Sequence, residues 1–360
     1  MNMSASPEPS PSITEHRPLG PTGMKVSPLC LGAMMLGAWG ERDHDKSVAI
    51  IHRALDAGIN FIDTADVYSQ GESETIVGKA LVGGRRDDVI LATKFHNPMD
   101  VRIGQSGGDP NKRGNSRRWI VQEVDNSLRR LGTDWIDLYQ VHRPDPETDI
   151  EETLSALTDL QRAGKIRAFG SSTFPAYQVV QAQWTSQSRA LGRFVTEQPP
   201  YSILARGIEA DVLPVAEQYG MGVIPWSPLA AGWLTGRYRQ GQEIPQTFRS
   251  RGRQDMSEPD NAARLEAAEA LAVLAEEAGV SLVHLALAFV LQHPAVTAPI
   301  IGPRTMEQLE TQLGAVDVVL TTDVLDRIDG IVPPGVNVAR SDAGYVPPAV
   351  ARSGLRRRSR

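Results

Sequence analysis

Asn60-Phe61-Ile62-Asp63-Thr64-Ala65-Asp66-Val67-Tyr68 opens as a short apolar strand and closes on polar side chains. Read as one strand over 60–68, it leaves Asp63 and Tyr68 at or just past its C-terminal end. Three later apolar runs also close on a chemically loaded residue. Lys94 follows 89–93, His142 follows 135–141, and Gln198 follows 194–197. In a parallel barrel that end of the strands is where active sites are assembled.

Outward from this stretch the chain alternates. A helix is predicted over 45–57, where Val48, Ile51, Ala54 and Leu55 share one face and Gly58 stops it. Further helices are expected at 72–82, 117–131, 151–163, 176–188, 212–218, 262–278, 282–292, 305–313 and 323–329, with Ser116 as the N-cap of the third. Strands are expected near 89–93, 136–141, 166–170, 194–197, 222–225 and 297–301. An earlier strand ends at Gly32-Ala33-Met34, with Gly32 allowing a close backbone approach. About eight strands, each followed by a helix, imply a parallel sheet with crossover helices. Eight such units closing on themselves make a (β/α)8 TIM barrel, an α/β fold, here with a short N-terminal β-hairpin and extra C-terminal helices. An open doubly wound sheet holding a dinucleotide usually has G-x-G-x-x-G after its first strand, and no such motif occurs.

The 360 residues suit one barrel, and 41% hydrophobic content is ample for its core. A net charge of -6 gives no footprint for nucleic acid. The single cysteine, Cys30, excludes an internal disulfide, reads as a small core residue, and fits a cytoplasmic protein. No run of about 18 apolar residues occurs, so no membrane span is expected. Residues 1–16 read as a disordered tail, 17–340 as the barrel unit, ending its ordered body near Pro333-Pro334, and 341–360 as a basic tail. The polar stretch 96–115 and the segment 228–260 are the long loops, and loops of that length are usually functional or disordered. No metal is expected, and a homo-oligomer is left open.

Asp63, Tyr68, Lys94 and His142 make a proton-donating set. A phenol near pKa 10 is a poor acid at neutral pH, and an adjacent ammonium lowers it. A carboxylate keeps the lysine charged and oriented. An imidazole can hydrogen-bond a carbonyl and select its pose. Together they would polarise a C=O and protonate its oxygen. No side chain donates hydride, so a nicotinamide is required. Each residue alone has a plainer reading as an ion pair, packing or a turn cap; the four together favour the site.

Phe61-Ile62-Asp63-Thr64-Ala65 with Tyr68, then Lys94, then Gln140-Val141-His142-Arg143, resemble the aldo-keto reductase superfamily over about 17–334. The loop with Pro110-Asn111 and Gly114-Asn115-Ser116-Arg117 resembles the branch holding potassium-channel β subunits and bacterial sugar-aldehyde reductases. The resemblance implies a barrel that binds NADP(H) at the strands' C-terminal face. It implies Tyr68 as general acid, tuned by Lys94 and Asp63, with His142 orienting the substrate. It matches Gly32, Ala33, Met34, Asp63, Ser172, Thr173, Gln198 and Trp226 to the nicotinamide side. Ser227, Pro228, Leu229, Gly232, Gly236 and Arg237 match the loop over the pyrophosphate. Gly302, Arg304, Gln308 and Gln312 match the adenosine end, where Arg304 favours NADP over NAD. Ala33 replaces a usual Thr, Thr173 a usual Asn, and Thr311 and Gln312 a usual Glu and Asn. Trp39 and Phe95 are expected to line the substrate pocket with Tyr68 and His142; Trp119 either joins them or packs under its own helix. The implied function is NADPH-dependent reduction of aldehydes, ketones or small sugar-derived carbonyls. The alternatives are an NADP(H)-binding regulatory subunit with little turnover, and a lysine Schiff-base aldolase that leaves Trp226 and Arg304 unexplained.

Overall fold

A computed structural model describes residue 13 and residues 15–101, 107–242 and 255–355. Strands β1 (Arg17–Pro18) and β2 (Lys25–Val26) form the antiparallel hairpin. Eight parallel strands follow: β3 (Cys30–Gly32), β4 (Phe61–Asp63), β5 (Ile90–Phe95), β6 (Ile136–Val141), β7 (Ile166–Ser172), β8 (Thr196–Gln198), β9 (Gly222–Val223) and β10 (Ile300–Ile301). Their spatial order is β10-β3-β4-β5-β6-β7-β8-β9. Val223 bridges Val296, and the Ile300 N–H donates to the Pro225 carbonyl at 2.8 Å, which joins the two ends of the sheet. This is the (β/α)8 barrel.

Helices α1 (His44–Asp56), α2 (Glu72–Ala80), α3 (Arg117–Leu131), α4 (Ile150–Arg162), α5 (Ala176–Arg189), α6 (Val212–Gln218), α7 (Pro259–Glu277), α8 (Leu282–Gln292), α9 (Met306–Leu313) and α10 (Thr322–Ile331) surround it. Their starts are fixed chemically. The Asp43 carboxylate accepts from the N–H groups of Asp45 and Lys46, and Ser116 caps α3 as expected.

Strand periodicity then places the site. Cys30, Phe61, Ala92, Leu138, Ala168, Ile224 and Ala298 fill the barrel interior, with Leu19 and Val26 of the hairpin in the same cluster. Two residues further along four of those strands come Gly32, Asp63, Lys94 and Gln140, on the same face and nearer the C-terminal mouth. The odd-numbered neighbours of β5, Leu91 and Phe95, pack outward into the helix-side core. Gly32 is required at its position, because a Cβ there would meet Ile300 Cγ2 at 2.5 Å.

Several boundaries differ from the sequence reading. The strand expected over 60–68 is regular only at Phe61–Asp63; Tyr68 begins a 3-10 turn, Tyr68–Gly71. The last strand is short because Pro299 has no N–H for the ladder. Ile13, assigned to the N-terminal tail, is buried and its N–H donates to the Ala57 carbonyl at 2.7 Å. Residues 1–12 and 14 of that tail lie outside the described residues. The ordered body also runs past Pro333-Pro334 and past 340. Val338 donates to the Leu204 carbonyl, Asp342 pairs with Arg264, and Pro348–Ala351 is helical (α11). Residues 356–360 lie outside the described residues, as do 102–106 and 243–254 of the long loops.

Candidate active site

At the mouth, Lys94 Nζ reaches from β5 to three acceptors: Asp63 Oδ2 at 2.5 Å, the Thr64 carbonyl at 2.8 Å and the Tyr68 hydroxyl at 3.3 Å. Asp63 is held from the other side by the amides of Gln140 (3.1 Å) and Gln198 (2.9 Å), both donating to Oδ1. Burial pushes the Lys94 ammonium down, Asp63 and Tyr68 pull it up, and the net is upward, so the ammonium stays charged. Burial pushes the Tyr68 hydroxyl up, Lys94 pulls it down, and the net is again upward. The lowering expected from the adjacent ammonium is therefore present but outweighed by desolvation. The phenol is a proton donor, not a phenolate, at neutral pH.

The Tyr68 and His142 rings meet edge to face, centroids 5.7 Å apart. Burial, then Lys94, Arg143 and His96, push His142 well below its ordinary 6.5, so it is a neutral imidazole. The Asn97 Nδ2 donates to its Nδ1 at 3.2 Å. Nδ1 is then the acceptor and Nε2 carries the hydrogen, making His142 a second donor. Asn97 is set in place by an unusual backbone: His96 has φ 147°, while its carbonyl accepts from Gly114 N–H and its Nδ1 lies 2.9 Å from Asn115 Oδ1. Trp39 stands 6.0 Å from Tyr68, ring to ring, and its backbone N–H donates to Ser69 Oγ. Two donors to one oxygen, beside a charged lysine and an aromatic wall, suit the polarisation and protonation of a carbonyl.

The aldo/keto reductase family model matches residues 28–333, the whole barrel after the hairpin. The chain belongs to the aldo/keto reductase family. Among its relatives, the Bacillus subtilis oxidoreductase YrpG is 40% identical over 325 residues, covering 89% of this chain and 96% of the relative. The Bacillus subtilis aldo-keto reductase YhdN is 38% identical over 300 residues, 82% and 87% of the two chains. A putative voltage-gated potassium channel subunit beta of Schizosaccharomyces pombe is 34% identical over 331 residues, 89% and 94% of the two chains.

On this aldo/keto reductase barrel the residues matched to a dinucleotide have the following surroundings. Trp226 is half-buried, with its Nε1 3.4 Å from Thr173 Oγ1. Ser172 Oγ donates to the Gln198 carbonyl at 2.9 Å. Gln198 Nε2 is committed to Asp63 and Gln140, which leaves its Oε1 to accept from a carboxamide. Ser227, Ala231 and Gly232 have left-handed backbones and turn the segment Ser227-Pro228-Leu229 into the 3-10 run Ala230–Thr235, with Gly236 and Arg237 after it. The guanidinium groups of Arg237 and Arg304 make no hydrogen bond among the described residues. Gly302 has open space where a Cβ would sit, and the buried Oε1 of Gln312 has no partner among the described residues. Gln308 instead folds back onto the Arg304 N–H at 2.9 Å. Two cations without a hydrogen bond among the described residues, a half-buried indole and an unmatched acceptor suit a dinucleotide. Ala33 and Met34 follow β3 beside Gly32, and the Ala33 N–H donates to the Asp63 carbonyl.

Phe95 is a correction. It is fully buried on the helix side, 4.8 Å from the Tyr139 ring, because it alternates with the inward-facing Lys94. Trp119 is likewise buried under its helix. The sequence reading gave no role to Gln140 or Asn97, which orient Asp63 and His142. Gln140 was findable: it lies two residues before His142 on β6, on the same inward face. Asn97 was not, since only the strained turn at His96 aims it.

Proposed function

We propose that the chain is an NADP(H)-dependent carbonyl reductase acting on aldehydes, ketones or small sugar-derived carbonyls. The observation that carries this is the hydrogen-bonded series Asp63–Lys94–Tyr68 ending beside a neutral His142. The substrate oxygen accepts from the Tyr68 hydroxyl and from His142 Nε2–H. A bound nicotinamide supplies hydride to the carbonyl carbon. As negative charge grows on the oxygen, Tyr68 gives up its proton there. The Lys94 ammonium stabilises the phenolate left behind, and Asp63, fixed by two glutamine amides, keeps Lys94 charged and aimed. Trp226 and Gln198 would hold the nicotinamide side, and Arg237 and Arg304 the phosphates. Arg304 beside the start of α9 suits a 2′-phosphate and hence NADP over NAD. A reducing cytoplasm suits the one buried cysteine, Cys30.

The likeness to a potassium-channel β subunit supports a second reading, a cofactor-binding regulatory subunit with little turnover. One assay separates the two. NADPH absorbance is followed with purified protein and a panel of aldehydes, ketones, quinones and sugar aldehydes, with NADH in parallel. Turnover favouring NADPH supports the reductase. Tight NADPH binding without turnover on any carbonyl supports the regulatory subunit.

A further inference from the structure

Arg143 directly follows His142, and its guanidinium lies at the same mouth. Both N–H groups of Nη1 are committed: one to the His142 carbonyl and one to Thr173 Oγ1, each at 2.8 Å. The guanidinium carbon sits 5.8 Å from the centroid of the Trp226 indole. These contacts fix the group against the His142 backbone, the Thr173 hydroxyl and the indole. Its Nε–H and the two N–H groups of Nη2 make no hydrogen bond among the described residues.

Three other arginines drawn into the protein have carboxylate partners. Arg130 is matched to Glu74 and Glu123, Arg206 to Glu209 and Asp329, and Arg264 to Asp342. Arg143 is half-buried and has no carboxylate within salt-bridge distance among the described residues. Its acidic neighbour Glu197 faces elsewhere, accepting from the Ser171 hydroxyl and the Phe174 N–H, and burial raises its carboxyl to about 7. Of the other charges at the mouth, Lys94 is balanced by Asp63 and His142 is neutral. Arg143 is thus a cation without a carboxylate partner among the described residues, near enough to Tyr68 to act on its hydroxyl electrostatically. The unused pair, Nε and Nη2, is a side of the guanidinium that grips a carboxylate with two parallel bonds.

We propose that Arg143 forms an anion subsite, and that the preferred substrates are aldehydes or ketones carrying a carboxylate a few atoms from the carbonyl carbon. The proposal rests on the reductase reading. The carboxylate takes no part in bond making; it fixes the pose in which the carbonyl oxygen meets Tyr68 and His142. Lysine would supply the charge without the fork, so it rescues only in part.

The test compares matched pairs: 4-oxobutanoate against butanal, and 4-carboxybenzaldehyde against its methyl ester, each with NADPH. The wild type is expected to favour the charged member at least tenfold in kcat/KM. Arg143→Met is expected to bring that ratio near one, mainly through KM, with Arg143→Lys between. Added salt raises KM for the charged member alone, a readout that needs no variant. A wild-type ratio near one at low salt overturns the proposal. So does a preference that Arg143→Met retains. If the wild type reduces neither member of either pair, benzoate binding is read from tryptophan fluorescence. Salt-sensitive binding that Arg143→Met abolishes keeps the anion subsite while the reductase reading falls. No benzoate binding removes the subsite as well.

Discussion

Two adjacent residues of β5 belong to two buried ionic clusters on opposite faces of the barrel wall. Thr93 points outward and donates to Glu74 Oε1 at 2.6 Å. Arg130 of α3 bonds both Glu74 and Glu123, and Asn126 donates to Glu123 Oε2 at 2.7 Å. Every carboxylate oxygen of Glu74 and Glu123 therefore has a donor, so this trio with Arg130 is closed, while the buried Asp66 Oδ2 and Tyr139 hydroxyl in its field have no partner among the described residues. Lys94 points inward. Its series also begins with a fully matched carboxylate, Asp63, but it ends on the Tyr68 hydroxyl and His142 Nε2, which have proton-donating capacity left over. Both clusters take carboxylates out of water, and each depends on its cation to offset that. The closed one joins α2 and α3 to the barrel; the open one keeps donors for a ligand.

This contrast can be broken by substitutions on each side. Lys94→Met should do double damage. Turnover should fall by about 10²–10⁴ as phenolate stabilisation is lost. Stability should fall by about 3–5 kcal/mol as Asp63 is left buried without its cation. Steady-state kinetics and thermal unfolding read the two effects separately. Arg130→Met should show only the second. It strands Glu74 and Glu123, so a loss of about 3–5 kcal/mol is expected, with kcat per folded molecule unchanged. A large loss of kcat in folded Arg130→Met would mean that the outer cluster is coupled to the chemistry.

Glu197 sharpens the comparison through pH. Its folded pKa, raised mainly by burial to about 7, exceeds the unfolded carboxyl value. Between the two values the folded state binds the extra proton, so this contribution is present below about pH 4.5 and is lost as pH rises through about 7. Glu197→Gln, which keeps an acceptor and lets Ser171 turn its hydroxyl, should raise stability at pH 8 by up to about 3 kcal/mol and flatten the dependence between pH 5 and 8. Urea melts at several pH values measure it. The smallest effect is expected at Asn97→Ala. Freed of its fixed tautomer, His142 should lose about tenfold in kcat/KM. In the wild type no inflection from His142 is expected near pH 6.5, because its pKa lies well below that.

Much of the inner cluster was legible in the sequence because strand periodicity and strand ends are local features. Asp63, Lys94 and His142 each close an apolar run, and Cys30 reads correctly as core. The period-2 rule also excludes Phe95 from the mouth once Lys94 is placed inside, a step the sequence reading did not take. The outer cluster was not legible. Glu74, Glu123 and Arg130 lie on helical faces where a solvated charge is the ordinary reading, and only the packing of α2 on α3 buries them. The net upward shift of Tyr68 was hidden for a related reason: desolvation depends on the whole mouth, not on the lysine beside it. The C-terminal segment past Pro334 looked like a tail because its anchors, Leu204 and Arg264, are distant in sequence.

The most direct measurement compares wild type and Tyr68→Phe in NADPH binding and in NADPH consumption with the best aldehyde of the panel. Equal NADPH affinity is expected, with turnover lower by about 10²–10⁴ in the variant. Equal turnover in the two proteins would contradict the assignment of Tyr68 as the proton donor, and with it the reading of the open cluster as the reducing site.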